Sequence, residues 1–139
     1  MGTKKIVLVG GCFDVLHPGH VIFLEKAKEE GDFLMVLLEP DQKVKKLKGI
    51  KRPVHSQKER AKVLLALKSV DQVVMLPNIE TEKEYNDIIK KIKPDVIAAT
   101  KGDKNARFHK RSANLAGAKF KYVTNIIGDY STSRILNSR

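Results

Sequence analysis

Tryptophan is absent from this chain, cysteine occurs once, and aromatic residues make up only 6% of it. A single cysteine, Cys12, excludes an internal disulfide framework and predicts a reducing, cytoplasmic setting. No apolar run nears the ~20 residues that a bilayer-spanning helix requires, so no membrane partner is expected. No basic stretch followed by an apolar core opens the chain, and no leader is expected. Sparse aromatics leave no stacking platform for single-stranded nucleic acid. Zinc-finger spacing and RNA-recognition signatures are missing too, so nucleic acid is not an expected partner. The glycine patterns of simple dinucleotide-binding and P-loop folds, GxGxxG in register and GxxxxGK[ST], do not occur.

What is present suits a single α/β domain. The chain has 139 residues, 42% hydrophobic and 31% charged, enough to bury a core, and one domain over 1–139 is expected. Lysine and arginine number 27 against 16 acidic residues, a formal charge of +11 spread along the chain. That balance favours anionic partners, whether nucleotide, sugar phosphate or nucleic acid, although a Lys-rich solvated surface explains most of the individual lysines better.

Strand-like and helix-like stretches alternate. Ile6-Val7-Leu8-Val9, Phe33 to Leu38, Val73 to Leu76, Val96 to Ala99 and Phe120 to Val123 read as strands, the second apolar throughout as a strand buried on both faces requires. Between them, a helix opens on Pro18 and carries Leu24 and Ala27. Another opens on a Ser56/Glu59 capping box and shows Val63, Leu64, Leu67 and Val70 at helical spacing. A third opens on Thr81 and Glu84 with Tyr85, Ile88, Ile89 and Ile92 on one face, and a weaker one spans about 105–117. A last short helix is expected near Ser131. Repeated βα units predict a Rossmann-like, doubly wound five-stranded parallel sheet with helices on both faces, and a ligand at the carboxyl ends of its strands.

The stretch Gly10-Gly11-Cys12-Phe13-Asp14-Val15-Leu16-His17-Pro18-Gly19-His20 sits between the first strand and first helix. It sets His17 and His20 about one turn apart at a helix N-terminus, where free N–H groups make an anion site. By spacing alone, two such histidines serve as well as metal ligands or as helix caps.

Gly11, Cys12, Phe13, Asp14, His17, Gly19 and His20 match the form G-[CT]-F-D-x-x-H-x-G-H, which resembles the HxGH signature of the cytidylyltransferase-like nucleotidyltransferases. The resemblance runs along nearly the whole chain. Pro40 to Gly49 is similar to the family's basic loop after the second strand, where a lysine meets the triphosphate, with Lys48 favoured over Lys45 and Lys46. Arg60, in Gln57-Lys58-Glu59-Arg60, resembles an arginine near the active site and implies a contact with acceptor or phosphate; its stem could equally just cover the core edge. Thr100, Gly102 and Asp103 match the turn that binds ribose and base, although Lys-Gly-Asp is also ordinary turn chemistry. Ser131, Thr132 and Ser133 resemble the family's STS helix start facing the phosphates, with Arg134 as a further phosphate contact. His55 and His109 have no motif around them and are expected at the surface.

The resemblance implies a nucleotidyltransferase, with His17, His20 and Lys48 catalytic and an NTP carrying Mg²⁺ on its phosphates. Gly11, Cys12, Phe13, Asp14, Gly19, Lys45 and Lys46 would line the nucleotide. No protein metal-ligand cluster is expected. GGCFD, VKxLKGxxRPV and KGD look closest to the heptose-phosphate adenylyltransferases, which points to ATP and a sugar phosphate. The R-T-E-G element of the glycerol-phosphate cytidylyltransferases is replaced here by Ile126-Ile127-Gly128-Asp129-Tyr130. Those enzymes and the FAD synthetases are the alternatives, and a non-catalytic nucleotide binder is the alternative of another class. Relatives often pair as homodimers, which is the assembly the resemblance implies.

Overall fold

The computed structural model describes residues 4–125. Five parallel strands form one sheet in the order β3-β2-β1-β4-β5. They are β1 (Ile6–Gly11), β2 (Phe33–Leu38), β3 (Gln72–Met75), β4 (Val96–Lys101) and β5 (Lys119–Asn125). The helices are α1 (Pro18–Lys28), α2 (Asp41–Lys48), α3 (Gln57–Leu65), α4 (Glu82–Ile92) and α5 (Ala106–Ala116). The chain winds outward from β1 in both directions, which is the expected doubly wound topology.

Period-two alternation divides the central strands between two cores. Val7, Val9, Leu34, Val36, Leu38, Val96 and Ala98 face one side, where Leu24 and Ala27 of α1 and Ala61 and Leu64 of α3 cover them. Leu8, Met35, Leu37 and Ile97 face the other, covered by Tyr85 and Ile89 of α4 and Ala113 of α5. Both faces of β2 are therefore buried, which is why that strand is apolar at every position.

Strand order reverses between β1 and β4, and this is where a doubly wound sheet opens its binding crevice. β1 pairs with β2 from Ile6–Phe33 to Gly11–Leu38, but with β4 only at Val7–Val96 and Leu8–Ile97. Beyond Leu8 the two strands part at their carboxyl ends.

Two expectations are corrected here. The stretch after β2 is the helix α2, not a basic loop. Lys, Gln and Leu are good helix formers; Val44 anchors the helix in the core, and Gly49, at φ 114°, stops it. In α3 the core positions belong to Arg60, Ala61 and Leu64, while Val63 is 47% exposed. An arginine that finds internal acceptors can take a site that hydrophobic patterning gives to valine.

Candidate active site

β1 runs straight into the first motif at the open end of the sheet. Gly11 is required by close approach, because a Cβ there would stand 2.9 Å from the Phe13 ring. Phe13 itself has φ 46°, a left-handed conformation that costs a non-glycine residue about 1–3 kcal/mol. Burial of its ring, 7% exposed, offsets that strain, and the ring packs against His20 at a centroid distance of 5.4 Å.

The two histidines form a reciprocal cap on α1. His17 Nδ1 accepts from Gly19 N–H at 3.1 Å, and His20 Nδ1 accepts from His17 N–H at 3.2 Å. The rings stack, 3.8 Å between centroids and 28° between planes. A neutral imidazole that accepts at Nδ1 carries its proton on Nε2. Burial lowers the pKa of His17. His20 is pushed down to about 4, by burial first, then by the neighbouring His17 ring and the charge of Lys48. At neutral pH the arrangement is thus a pair of neutral Nε2–H donors at a helix N-terminus, where the backbone dipoles favour an anion.

Two buried residues hold this turn from behind. Asp14, expected to line the nucleotide, is 4% exposed and points into the protein. Its carboxylate accepts from Arg52 Nε and from the N–H groups of Val54 and His55 at 2.8–3.0 Å. These bonds outweigh its burial and hold its pKa below the usual carboxylate range. Arg60, expected to reach phosphate or acceptor, is 1% exposed. Its guanidinium donates to the carbonyls of Cys12 (2.7 Å) and His55 (3.1 Å) and to the Asp41 carboxylate (2.7 Å). Both are internal struts, because their hydrogen-bonding capacity is spent on the chain itself. Arg60 ties the first motif to the start of α2.

Of the four lysines of α2, Lys45, Lys46 and Lys48 are exposed and Lys43 is half-buried. Lys48 is the one whose charge reaches the site, lowering the pKa of both His20 and Cys12. For the Cys12 thiol burial dominates and leaves the pKa raised, so it stays protonated. Lys45 and Lys46 continue the positive face along the helix. Thr100 shares a hydroxyl hydrogen bond with Thr124 at 2.9 Å. Gly102, at φ 92°, turns the chain away from β4, and Asp103 Oδ1 accepts from Asn105 N–H to open α5. The structure therefore gathers Gly11, Cys12, Phe13, His17, Gly19 and His20 with Lys48 nearby, and sets the Thr100–Asp103 turn at the tip of β4. Ser131, Thr132, Ser133 and Arg134 lie outside the described residues, as does the expected last helix.

Sequence reasoning gave no role to several residues around the site. His109, expected at the surface, is 9% exposed, with its ring 3.3 Å from where a Gly10 Cβ would stand. The moment of α5 turns it inward with Ala106 and Ala113. Arg52 pairs with Asp14. The Gln57 amide donates to Leu38 O and Leu76 O, closing the gap between β2 and β3. A spacing motif carries no signal for such partners, since each is chosen by tertiary contact.

Residues 8–137 match the cytidylyltransferase-like family. Curated relatives include the bifunctional protein HldE of Aliarcobacter butzleri (strain RM4018), 51% identical over 68% of this chain and 19% of its own length. HldE of Helicobacter pylori (strain Shi470) is 40% identical over 96% of this chain and 27% of its own. The chain thus spans about a fifth to a quarter of the length of these relatives. Among solved structures, a lipopolysaccharide core biosynthesis protein from Thermoplasma volcanium GSS1 superposes with TM-score 0.69 and 26% identity, over 93% of this chain and 100% of that one. A pantoate-beta-alanine ligase from Francisella tularensis, 16% identical with TM-score 0.65 over 96% of this chain and 65% of that one, shares the fold.

Proposed function

The chain belongs to the cytidylyltransferase-like family, and from that premise we propose that it transfers adenylate from ATP to a phosphorylated small acceptor, a sugar phosphate, releasing pyrophosphate. The observation that carries this reading is the stacked His17–His20 pair at the N-terminus of α1, whose Nδ1 atoms accept from backbone N–H groups and whose protons therefore sit on Nε2. The similarity to HldE proteins supports a transferase of this kind.

An oxygen of the acceptor's phosphate attacks the α-phosphorus of ATP. A new P–O bond forms, the bond from the α-phosphorus to the bridging oxygen of the β-phosphate breaks, and the electron pair leaves with pyrophosphate. A phosphate monoester is already ionised near neutral pH, so no strong base is needed. Catalysis is positioning and charge stabilisation. His17 and His20 donate to α- and β-phosphate oxygens as charge builds there, the N-terminus of α1 adds its N–H groups, and Lys48 neutralises the departing pyrophosphate. Neutral imidazoles suit this task, because each ring's Nδ1 accepts from a backbone N–H and the proton is thereby kept on Nε2.

Among the described residues no group of three His, Cys, Asp or Glu side chains comes together to hold a metal. Mg²⁺ carried on the triphosphate oxygens and water suits such a site, since Mg²⁺ keeps most of its hydration and takes few protein ligands. When bound it supplies charge neutralisation to the phosphates. Thr100, Gly102 and Asp103 would take the nucleoside, and the Ser131–Ser133 segment with Arg134 the phosphates. No helix of the described residues is long and apolar enough to cross a membrane. A cytoplasmic homodimer is part of this proposal.

A matrix of the four NTPs against sugar phosphates, glycerol phosphate and FMN, scored by pyrophosphate, tests it. ATP with a sugar phosphate is the expected pair. Turnover of CTP with glycerol phosphate, or of ATP with FMN, would reassign the substrate, and NTP binding without any pyrophosphate would leave a nucleotide-binding protein.

A further inference from the structure

At the same carboxyl end of the sheet a cavity of about 230 Å³ opens between the tips of β2 and β3 and helices α4 and α5. Ile79 and Phe108 give it apolar walls, Glu39 and Tyr85 contribute polar atoms, and Glu80 and Glu82 stand among its acidic residues. Phe108 packs edge-on against Tyr85, 4.8 Å between centroids, which fixes both rings.

Two polar groups here have no work inside the protein. Tyr85 is 7% exposed, yet its hydroxyl makes no hydrogen bond among the described residues. No fully enclosed side-chain polar atom among them lacks a partner, so this oxygen keeps some exposure, and Tyr85 lines the cavity. The half-buried Glu39 carboxylate likewise has no hydrogen bond or ion pair among the described residues, and burial raises its pKa against the opposing charges of Lys43 and Arg60. The other acids are committed, Glu82 to Arg111 and Glu80 to Asn78. A buried hydroxyl and a desolvated carboxylate left without partners are costly, and a ligand that hydrogen-bonds both removes the cost.

Both groups adjoin the first motif. Glu39 N–H donates to Gly11 O at 3.0 Å, and a Cβ on Gly10 would stand 2.8 Å from the Tyr85 hydroxyl. They flank the last two residues of β1, immediately before the segment that leads to His17 and His20. A phosphate suits this cavity poorly, because three carboxylates, Glu39, Glu80 and Glu82, line it against the single ammonium of Lys43. A neutral polyol does: hydroxyls donate to Glu39 and bond Tyr85, while C–H faces lie on Phe108 and Ile79. The volume, below the ~300 Å³ at which pockets for drug-sized ligands begin, suits a ligand of about one sugar ring.

We infer that this cavity is the polyol subsite for the acceptor: Glu39 and Tyr85 hold its sugar hydroxyls, and the acidic lining turns its phosphate end toward His17 and His20. The inference rests on the adenylyl-transfer reading above and adds to it the residues that select the acceptor.

Pyrophosphate release at saturating ATP, measured for wild type, Tyr85→Phe and Glu39→Gln across sugar phosphates and FMN, tests it. Each variant is expected to raise KM for the preferred sugar phosphate about tenfold, the loss of one hydrogen bond to a buried partner. KM for ATP, and kcat at saturating sugar phosphate, should stay within about twofold, since neither group touches the reacting phosphorus. Tyr85→Phe breaks no internal hydrogen bond and should melt with wild type, so it decides the matter even if Glu39→Gln folds poorly. Unchanged acceptor KM in Tyr85→Phe, or a wild type that prefers FMN, would overturn the subsite while leaving nucleotidyl transfer standing. Wild type that releases no pyrophosphate with any acceptor would overturn adenylyl transfer itself and the subsite with it.

Discussion

The first motif and the lysine helix are built in opposite ways. His17 and His20 are locked by backbone hydrogen bonds, stacked on each other and braced from behind by Asp14 and Arg60, whose side chains are almost wholly buried. Lys45, Lys46 and Lys48 project from a short exposed helix anchored by Val44 and by Asp41 through Arg60. Geometry is concentrated in one half and charge in the other. Directional donors at the phosphorus centre must be placed to a fraction of an ångström, whereas ammonium groups neutralising a diffuse leaving group act over several ångströms.

The largest effects should follow from removing the fixed half. His20→Ala is expected to lower kcat about 10²–10³-fold, the scale of losing one oriented donor to a developing oxyanion, with a much smaller change in KM for ATP. His17→Asn separates catalysis from capping: an asparagine still caps α1 but offers no Nε2–H, so kcat should fall as far while thermal stability stays near wild type. Equal turnover in these variants and wild type would remove the distinction between the two halves. Next in size is Arg60→Met, which strands the Cys12 and His55 carbonyls and should cost about 3 kcal/mol or more in urea unfolding. Arg60→Lys should recover little of it, because an ammonium cannot reproduce the fork.

Smaller effects belong to the charged half. Lys48→Ala should lower kcat/KM about tenfold, and Lys45→Ala or Lys46→Ala about two- to threefold, each loss shrinking as salt screens the site. Lys48→Arg should keep most activity, which no substitution of His20 should do. If Lys48→Arg were as damaging as His20→Ala, the lysine helix would have to be counted as positioned machinery.

The sheet was legible because its signals are local and redundant: an apolar β2, a capping box at Ser56, a side-chain cap at Thr81, and a strand–glycine–helix junction at Gly10–His20. The histidine pair was legible for the same reason, since partners three residues apart are neighbours on any helix start. Residues whose roles depend on distant partners were not. Asp14 reaches 38 residues to Arg52, and Arg60 reaches 48 residues back to the Cys12 carbonyl. In a single sequence each reads as a surface charge or as a motif letter aimed at the ligand. The helical state of Asp41–Lys48 was obscured in another way: the helix is short, and its one buried residue, Val44, stands among four lysines that read as a basic loop.

The histidine pair also makes stability depend on pH. His20 titrates near 6.5 when unfolded and near 4 when folded, and His17 is shifted in the same direction. Between those values the unfolded chain binds more protons, so stability is complete above about pH 6.5 and is lost as pH falls toward 4. The most direct measurement is long-range ¹H–¹⁵N NMR of the two imidazoles from pH 8 to pH 4.5. At pH 7 both rings should carry their proton on Nε2 with Nδ1 bare, and His20 should show no titration step above pH 5. A proton on Nδ1 of either ring, or a His20 step between pH 6 and 7, would contradict the claim that these histidines are preset neutral donors for phosphate.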